Sequence, residues 1–454
     1  MTSSRSYRRD GLSPYRAVGQ NEIMQFRRLR LGSASRGVLA ITSGTLVGQI
    51  IVAVATPFLS RIYPPEAFGA FSTALAIASA VGPATALKFD SAILLPPKDA
   101  DARNLLILAI LSTTVVAVLS GVVVALVGPL ALPSMMDAIP FAALWIAALI
   151  LTTGLFTSLV QAALRSKSYG LVGWRSAIQS IGTTAAQLAF GLLSPSPTGL
   201  LGGALLGRLL GFGALTRSLK PLRAARGGAS MRDLARTYWR SPAILAPSSL
   251  LNSLGSQLPL ILLSAWFGSG AAGQLGMAQR LVFLPAALIG AALAQVFGAE
   301  IAQRLRDGAG SSRALYLRAT WRITAIAAPM CIIILAVAPW ALPWILGSDW
   351  EASGYLAQGM AISASVSLVV SPLSQVYTVH QSVASLAIDA SRVALILAAG
   401  AIALALGLDV IDMVWMMYGA QVLNYIATWL YGLRIVSRKV SHAAPDQDLP
   451  QSEL

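Results

Sequence analysis

The chain has 454 residues, 56% of them hydrophobic and only 11% charged, with a mean hydropathy of +0.69. A soluble domain carries about a quarter charged residues, so that class is excluded; apolar runs of about 20 residues, enough to cross ~30 Å of hydrocarbon as a helix, recur instead. The net charge of +15 would suit nucleic acid, but its placement along the chain does not.

The expected fold is an all-α polytopic membrane protein with about twelve transmembrane helices in two six-helix lobes around a central cavity. A β-barrel would alternate apolar and polar residues. A basic tail, 1–36, precedes the first span at 38–60. Further spans are predicted at 69–95, 104–128, 141–164, 171–193 and 199–216, completing a first lobe over 37–216. The 69–95 segment is too long for one perpendicular crossing and must tilt, kink at Gly82-Pro83, or emerge early. The basic connector 217–242, "RSLKPLRAARGGASMRDLARTYWRSP", follows. A second lobe, 243–433, holds spans at 243–266, 274–298, 321–346, 354–378, 386–407 and 411–433, and a tail closes the chain at 434–454. The longest connection on the opposite side, 129–140, leaves no room for a soluble domain.

Of 33 Lys and Arg, 28 fall in the tails and alternate connections, with eight in 1–36, seven in 217–240 and five in 299–322. The opposite connections hold Arg61 against Glu66, Asp137, Asp349, Glu351, Asp409 and Asp412. This positive-inside asymmetry places both termini and the connector in the cytoplasm, with the basic segments facing anionic membrane lipids. Cys331 lies alone in an apolar span, and His380 and His442 are isolated, so no disulfide framework, metal site or cofactor is expected. Trp340, Trp344 and Trp350 suggest an interfacial aromatic belt.

The halves echo each other at offsets just over 200 residues: Gln49 falls opposite Gln257, and Gln161 opposite Gln375. Six spans per half is an even number, so the halves share an orientation, related by an axis normal to the membrane. Polar residues recur at helical spacing in six spans: Thr42, Thr45, Gln49 and Thr56; Thr153, Thr157, Gln161 and Arg165; Ser176, Gln179, Thr183 and Gln187; Ser249, Asn252 and Ser256; Ser367, Ser371, Ser374 and Thr378; Gln421, Asn424 and Thr428. One such stripe suits helix–helix packing; six, spread over both halves, suit a shared aqueous cavity walled by hydroxyls and amides that bond sugar hydroxyls.

A charge at mid-bilayer costs about 2.5–3.5 kcal/mol or more. Arg208 sits mid-span and points to the cavity; for Arg280, cavity-facing and snorkelling placements stand level. Lys88 and Asp90 lie toward the inner end of the second span, too far apart in angle to pair on a helix, and Asp389 and Arg392 are spaced to pair with each other. Bases outnumber acids inside the spans, which favours an anionic guest such as a pyrophosphate. "GSGAAG", 268–273, fits G-x-G-x-x-G but lies between two membrane helices with no strand before it, so nucleotide binding is rejected. With no P-loop lysine, no H-E-x-x-H and no nucleophile–histidine pair, an enzyme is not expected.

Residues 59–102 resemble the N-terminal signature of Wzx-type polysaccharide (lipid-linked oligosaccharide) flippases, in the multidrug/oligosaccharidyl-lipid/polysaccharide exporter superfamily. The resemblance rests on Arg61, Pro65-Glu66-Ala67-Phe68-Gly69, Lys88-Phe89-Asp90 and Ala92-Ile93-Leu94-Leu95-Pro96, and on 278–297, which carries Arg280 and Pro285. Lysine replaces the usual arginine at position 88 and aspartate the usual glutamate at position 90, so charge is kept while bidentate geometry is lost. The resemblance implies a V-shaped pair of lobes around a cationic cavity. It also implies an undecaprenyl-pyrophosphate-linked oligosaccharide as cargo across the bacterial inner membrane, with polysaccharide polymerase and export machinery as further partners. Candidate substrate-binding residues are Arg208, Arg280, Lys88 and Arg61 for the anion and Gln49, Gln161, Gln257, Asn252 and Gln375 for the glycan. Asp90 is a candidate coupling site or a partner for a base. A cation-coupled drug antiporter of the same fold and a peptidoglycan-precursor flippase remain as alternatives.

Overall fold

A computed structural model of the chain describes residues 33–216, 219, 222, 224–306, 313–374 and 384–437. Among these the secondary structure is helical throughout. In hydrocarbon a chain must satisfy its own backbone polar groups, and a helix does so locally. The long helices are α1 (Ser33–Ile62), α2 (Pro65–Val81), α3 (Asp99–Ala131), α4 (Ala142–Arg165), α5 (Tyr169–Leu193) and α6 (Pro197–Thr216). They continue with α7 (Ala246–Arg306), α8 (Arg313–Leu346), α9 (Glu351–Leu373), α10 (Ala384–Ala405) and α11 (Val410–Ser437). Eight helices among the described residues are long and apolar enough to cross a membrane, making this a multi-pass membrane protein. Of the other predicted spans, 171–193, 199–216 and 411–433 are full helices whose glycines and polar residues dilute their hydropathy, and 274–298 continues α7.

Two breaks fall where the sequence allowed them, at Gly82-Pro83 and at the start of 268–273. The second predicted span does not run to residue 95: α2 ends at Val81, a tight turn covers Gly82–Ala84, and Leu87 and Lys88 take left-handed conformations (φ 47° and 60°) before a short helical turn, Phe89–Ala92. Pro83 and two left-handed residues end a helix that hydropathy alone would continue. Arg165, at the end of α4, then fastens the descending strand of chain, donating to the carbonyls of Ile93 (3.0 Å) and Pro96 (2.8 Å) and pairing with Asp99 at 2.9 Å. The second break is Gly268 (φ 83°), which kinks α7 at the start of "GSGAAG".

Helices α1–α6 pack chiefly among themselves, as do α7–α11, and α2 against α7 joins the two sets. That crossing is very close: a Cβ at Gly69 would run into the Ser269 carbonyl oxygen, and one at Gly273 into that of Pro65. The glycine pattern that imitates a nucleotide loop is therefore a helix-crossing surface. Beside it, Ser60 Oγ donates to Leu346 O (2.8 Å), and Trp350 Nε1 donates to Ser60 O (2.9 Å). Trp350 stands edge-on to Phe68 with centroids 5.8 Å apart. It is 1% exposed and so is not part of an aromatic belt, whereas Trp340 (73%) and Trp344 (82%) are exposed. The described part of the connector is docked rather than free. Leu219, Leu222 and Leu234 pack with Phe89 and Leu105, Asn104 Nδ2 donates to Ala229 O, and Asp101 accepts from Ala229 N.

Candidate functional site

A cavity of about 580 Å³ lies between the two sets of helices, walled by α2, α5 and α6 on one side and α7, α9 and α11 on the other. Helix α5 presents Gln179, Thr183 and Gln187 at a spacing of four, which aligns them on one face. They can line a cavity because α6 meets α5 through glycines: a Cβ at Gly203 would strike Gln187, and one at Gly207 would strike Thr183. Arg208, next along α6, lines the cavity and donates from Nη1 to the Leu149 carbonyl (2.9 Å) and toward Thr152 Oγ1 (3.4 Å). From the opposite wall Arg280 enters, its guanidinium carbon 5.8 Å from the centre of the Phe68 ring, with Nη1 buried and meeting no acceptor. Gln279 Nε2 donates to the Tyr418 hydroxyl (2.8 Å), and Ser363 Oγ donates to Gln421 Oε1 (2.9 Å).

The lining residues include no Asp or Glu, and among the described residues no carboxylate lies within 4.0 Å of either arginine. Two cations thus share a cavity lined by amides, hydroxyls and aromatic rings without a protein counter-ion. Desolvated charge of this kind is costly unless a guest neutralises it. Guanidinium offers a planar fork of donors suited to phosphate oxygens, and the amides suit sugar hydroxyls. The arrangement favours holding a bulky polar anion and contains no nucleophile–base pair.

Of the residues expected to bind substrate, Arg208, Arg280 and Gln257 meet in this cavity. Of the other described candidates, none lines it. Arg61 is exposed at the end of α1, and Lys88 sits in the left-handed break beyond α2. Gln49 lies on α1, which packs against α5, and Gln161 lies on α4 with Oε1 buried and unpartnered. Asn252 is taken by Arg392, whose Nη1 and Nη2 donate to Asn252 Oδ1 (3.2 Å) and O (2.7 Å). Arg392 also reaches Ser256 Oγ (2.5 Å), and Asp389 accepts from Ser248 (3.1 Å), so these two charges grip α7 instead of each other. Gln375 lies outside the described residues. Asp90 is 7% exposed, away from the cavity, with Oδ1 unpartnered and no ion pair to Lys88. The threonines of the α4 stripe are spent on their own backbone: Thr153 Oγ1 donates to Leu149 O (2.6 Å) and Thr157 Oγ1 to Gly154 O (3.0 Å). Missed from sequence were Phe68, Ser72, Gln279, Tyr418 and Tyr425. Of these, Gln279 carried a usable signal, a buried amide beside Arg280.

No curated protein matches the chain. Solved structures do. A lipid II flippase MurJ in an inward closed conformation has TM-score 0.65 at 12% identity, covering 88% of this chain and 87% of that one. An inward-facing multidrug resistance MATE family transporter of the MOP superfamily has TM-score 0.59 at 15% identity, covering 88% and 98%. A MOP superfamily transporter from Pyrococcus furiosus, described as having reverse polarity of its binding pocket, has TM-score 0.57 at 14% identity, covering 88% and 95%. At these identities the likeness shows a shared fold. Residues 58–354, most of the chain, match the family model described as polysaccharide biosynthesis protein. The chain therefore belongs to the polysaccharide biosynthesis protein family and has the fold of the MOP-superfamily transporters.

Proposed function

We propose that this protein moves a lipid-linked oligosaccharide, carried on a pyrophosphate-bearing prenyl anchor, from the inner to the outer leaflet of the bacterial cytoplasmic membrane. The observation that carries this reading is the cavity where Arg208 and Arg280 face a shared space with amides and no carboxylate. A cation exporter would place acids there. Helices 37–216 and 243–433 act as two lobes that rock about the α2–α7 crossing, with both termini on the basic, cytoplasmic side. The close contact of Gly69 and Gly273 and the packing around Trp350 form the outer seal in this conformation. Arg208 and Arg280 hold the pyrophosphate, and Gln257 with its neighbouring amides holds the sugars. Asp90, a buried carboxylate without an ion partner, is the candidate coupling residue. The protein itself breaks no covalent bond; polymerase and export machinery take the cargo on the far side.

The test is deletion of the coding sequence, followed by extraction of lipid-linked sugars and complementation with wild type, Arg208→Ala or Arg280→Ala. Undelivered oligosaccharide on the cytoplasmic leaflet, restored to the surface by wild type and by neither variant, supports the reading. Unchanged surface glycan with new drug sensitivity would instead establish the antiporter. Growth arrest with accumulated peptidoglycan precursor would establish a precursor flippase.

A further inference from the structure

We propose that Arg175 is a second anion-binding station, taking a phosphoryl group at the basic-side mouth of the cavity next to Arg208. This rests on the anion-path reading above and adds a residue that the sequence pattern counts only among flanking basic charges.

Arg175 lies one turn from Gln179 on the same face of α5, and Gln179 lines the cavity. Both side chains flank Gly211 of α6: a Cβ there would sit 3.6 Å from Arg175 Cγ and 3.7 Å from Gln179 Cβ. Gly211 is itself one turn past Arg208. Arg175 thus lies just beyond the residues that line the cavity, one turn toward the side where α4 ends at Arg165. Its guanidinium carbon is 3.7 Å from the centre of the Phe156 ring, and Phe156 is backed by Phe212 at 5.8 Å. Stacking uses the flat face of a guanidinium and leaves its in-plane N–H donors unspent.

Two of those donors have no acceptor among the described residues. Nε and Nη1 of Arg175 are both buried without a hydrogen-bond partner, and among the described residues no carboxylate lies within 4.0 Å. Two other arginines of the chain are better provided for: Arg165 by two carbonyls and Asp99, Arg392 by Asn252 and Ser256, whereas Arg280 in the cavity shares the unanswered state. Arg392 sits on the eleventh predicted span as Arg175 sits on the fifth, the same place in each half, and there Nη1 and Nη2 are both answered and Nε alone is left over. A fixed guanidinium with buried, unanswered donors is expensive to keep. It is suited to a guest that brings oxygens, and phosphate answers the fork bidentately. The phosphoryl group comes either from the cargo or from an anionic lipid headgroup.

Full-length protein in phosphatidylcholine nanodiscs, titrated calorimetrically with inorganic pyrophosphate, tests this. Wild type binds. Arg175→Gln and Arg208→Gln each raise Kd about tenfold, the loss of one charge-assisted contact. Phe156→Leu, which keeps the charge and removes the ring that orients it, raises Kd by less. Melting temperature without ligand reports folding. A folded Arg175→Gln protein that binds pyrophosphate as tightly as wild type overturns the proposal and reduces Arg175 to a packing residue. If Arg175→Gln does not fold, Arg175→Lys and Phe156→Leu decide it, and wild-type Kd in both overturns it. Retained response to Arg208→Gln with none to Arg175→Gln sinks this station alone, whereas no pyrophosphate binding by wild type sinks the anion path with it. Discs of phosphatidylglycerol separate the two sources. Affinity unchanged from phosphatidylcholine assigns the station to cargo; affinity weakened in wild type but not in Arg175→Gln assigns it to a headgroup, and both support an anion site.

Discussion

The α2–α7 crossing makes a mechanical prediction. A Cβ on Gly276 would stand 3.0 Å from Ser72 Cβ, with Leu260 Cδ1 its next neighbour at 3.4 Å. Disulfides need Cβ atoms about 3.5–4.5 Å apart, so the pair Ser72→Cys and Gly276→Cys bridges after a relaxation of about 0.5 Å or more. The chain has a single native cysteine, Cys331, on α8 and away from the crossing, and Cys331→Ala removes it as a competitor. Once formed, the bridge holds the two Cα atoms within about 7 Å. No pyrophosphate-linked sugar passes between helices tied that closely, so oxidation should stop glycan export and leave the protein in the membrane. Surface glycan is measured after copper–phenanthroline treatment, the cross-linked fraction by loss of thiol labelling, and recovery after dithiothreitol. Each single-cysteine protein should export in both conditions. Full export by protein that is fully cross-linked would refute the idea that α2 and α7 must part.

Other perturbations follow from the same contacts. Gly273→Val places a branched side chain against the Pro65 carbonyl and should force the crossing open, seen as faster labelling of a cysteine at position 72 and a lower melting temperature. Arg165→Ala removes two carbonyl contacts as well as an ion pair and should cost about 1–2 kcal/mol; Asp99→Asn, losing only a pair whose acid is half exposed, should cost under about 1 kcal/mol, both read by thermal unfolding in detergent. Trp350→Ala empties a fully buried site between the two helix sets and should cost about 3–5 kcal/mol in the same assay. Asp90→Asn should uncouple export from an imposed ion gradient in proteoliposomes without lowering pyrophosphate affinity; gradient-driven export at the wild-type rate would remove Asp90 from the mechanism.

The membrane class, the helical fold and two of the cavity's cations were legible because lipid is an unforgiving solvent. A lone charge at mid-span has few tolerable neighbours, so Arg208 announces a polar interior by its cost alone, whereas Arg280, nearer the outer surface, left snorkelling open. Polar uncharged side chains carry no such constraint. Thr153 and Thr157 on α4 repeat at the same spacing as Gln179, Thr183 and Gln187 on α5, yet the threonines can turn back to carbonyls of their own helix and the glutamines cannot. Periodicity gives the face; the length of the side chain and the partner helix decide whether that face is wet. The sequence did show the partner: α6 carries Gly203, Gly207 and Gly211 at a spacing of four, and it is these that leave room for α5's amides. Lys88 and Asp90 fall outside the cavity for a different reason. Hydropathy is blind to backbone conformation, and Leu87 and Lys88 in left-handed geometry complete the bend begun at Gly82-Pro83, leaving the acid buried beside Phe89 and away from the cavity between the two helix sets. Arg175 was hidden by its neighbours, since a base near Arg165 and Lys167 reads as one more flanking charge. What sets it apart is the unanswered edge of its guanidinium, a property of three packed helices that no single stretch of residues carries.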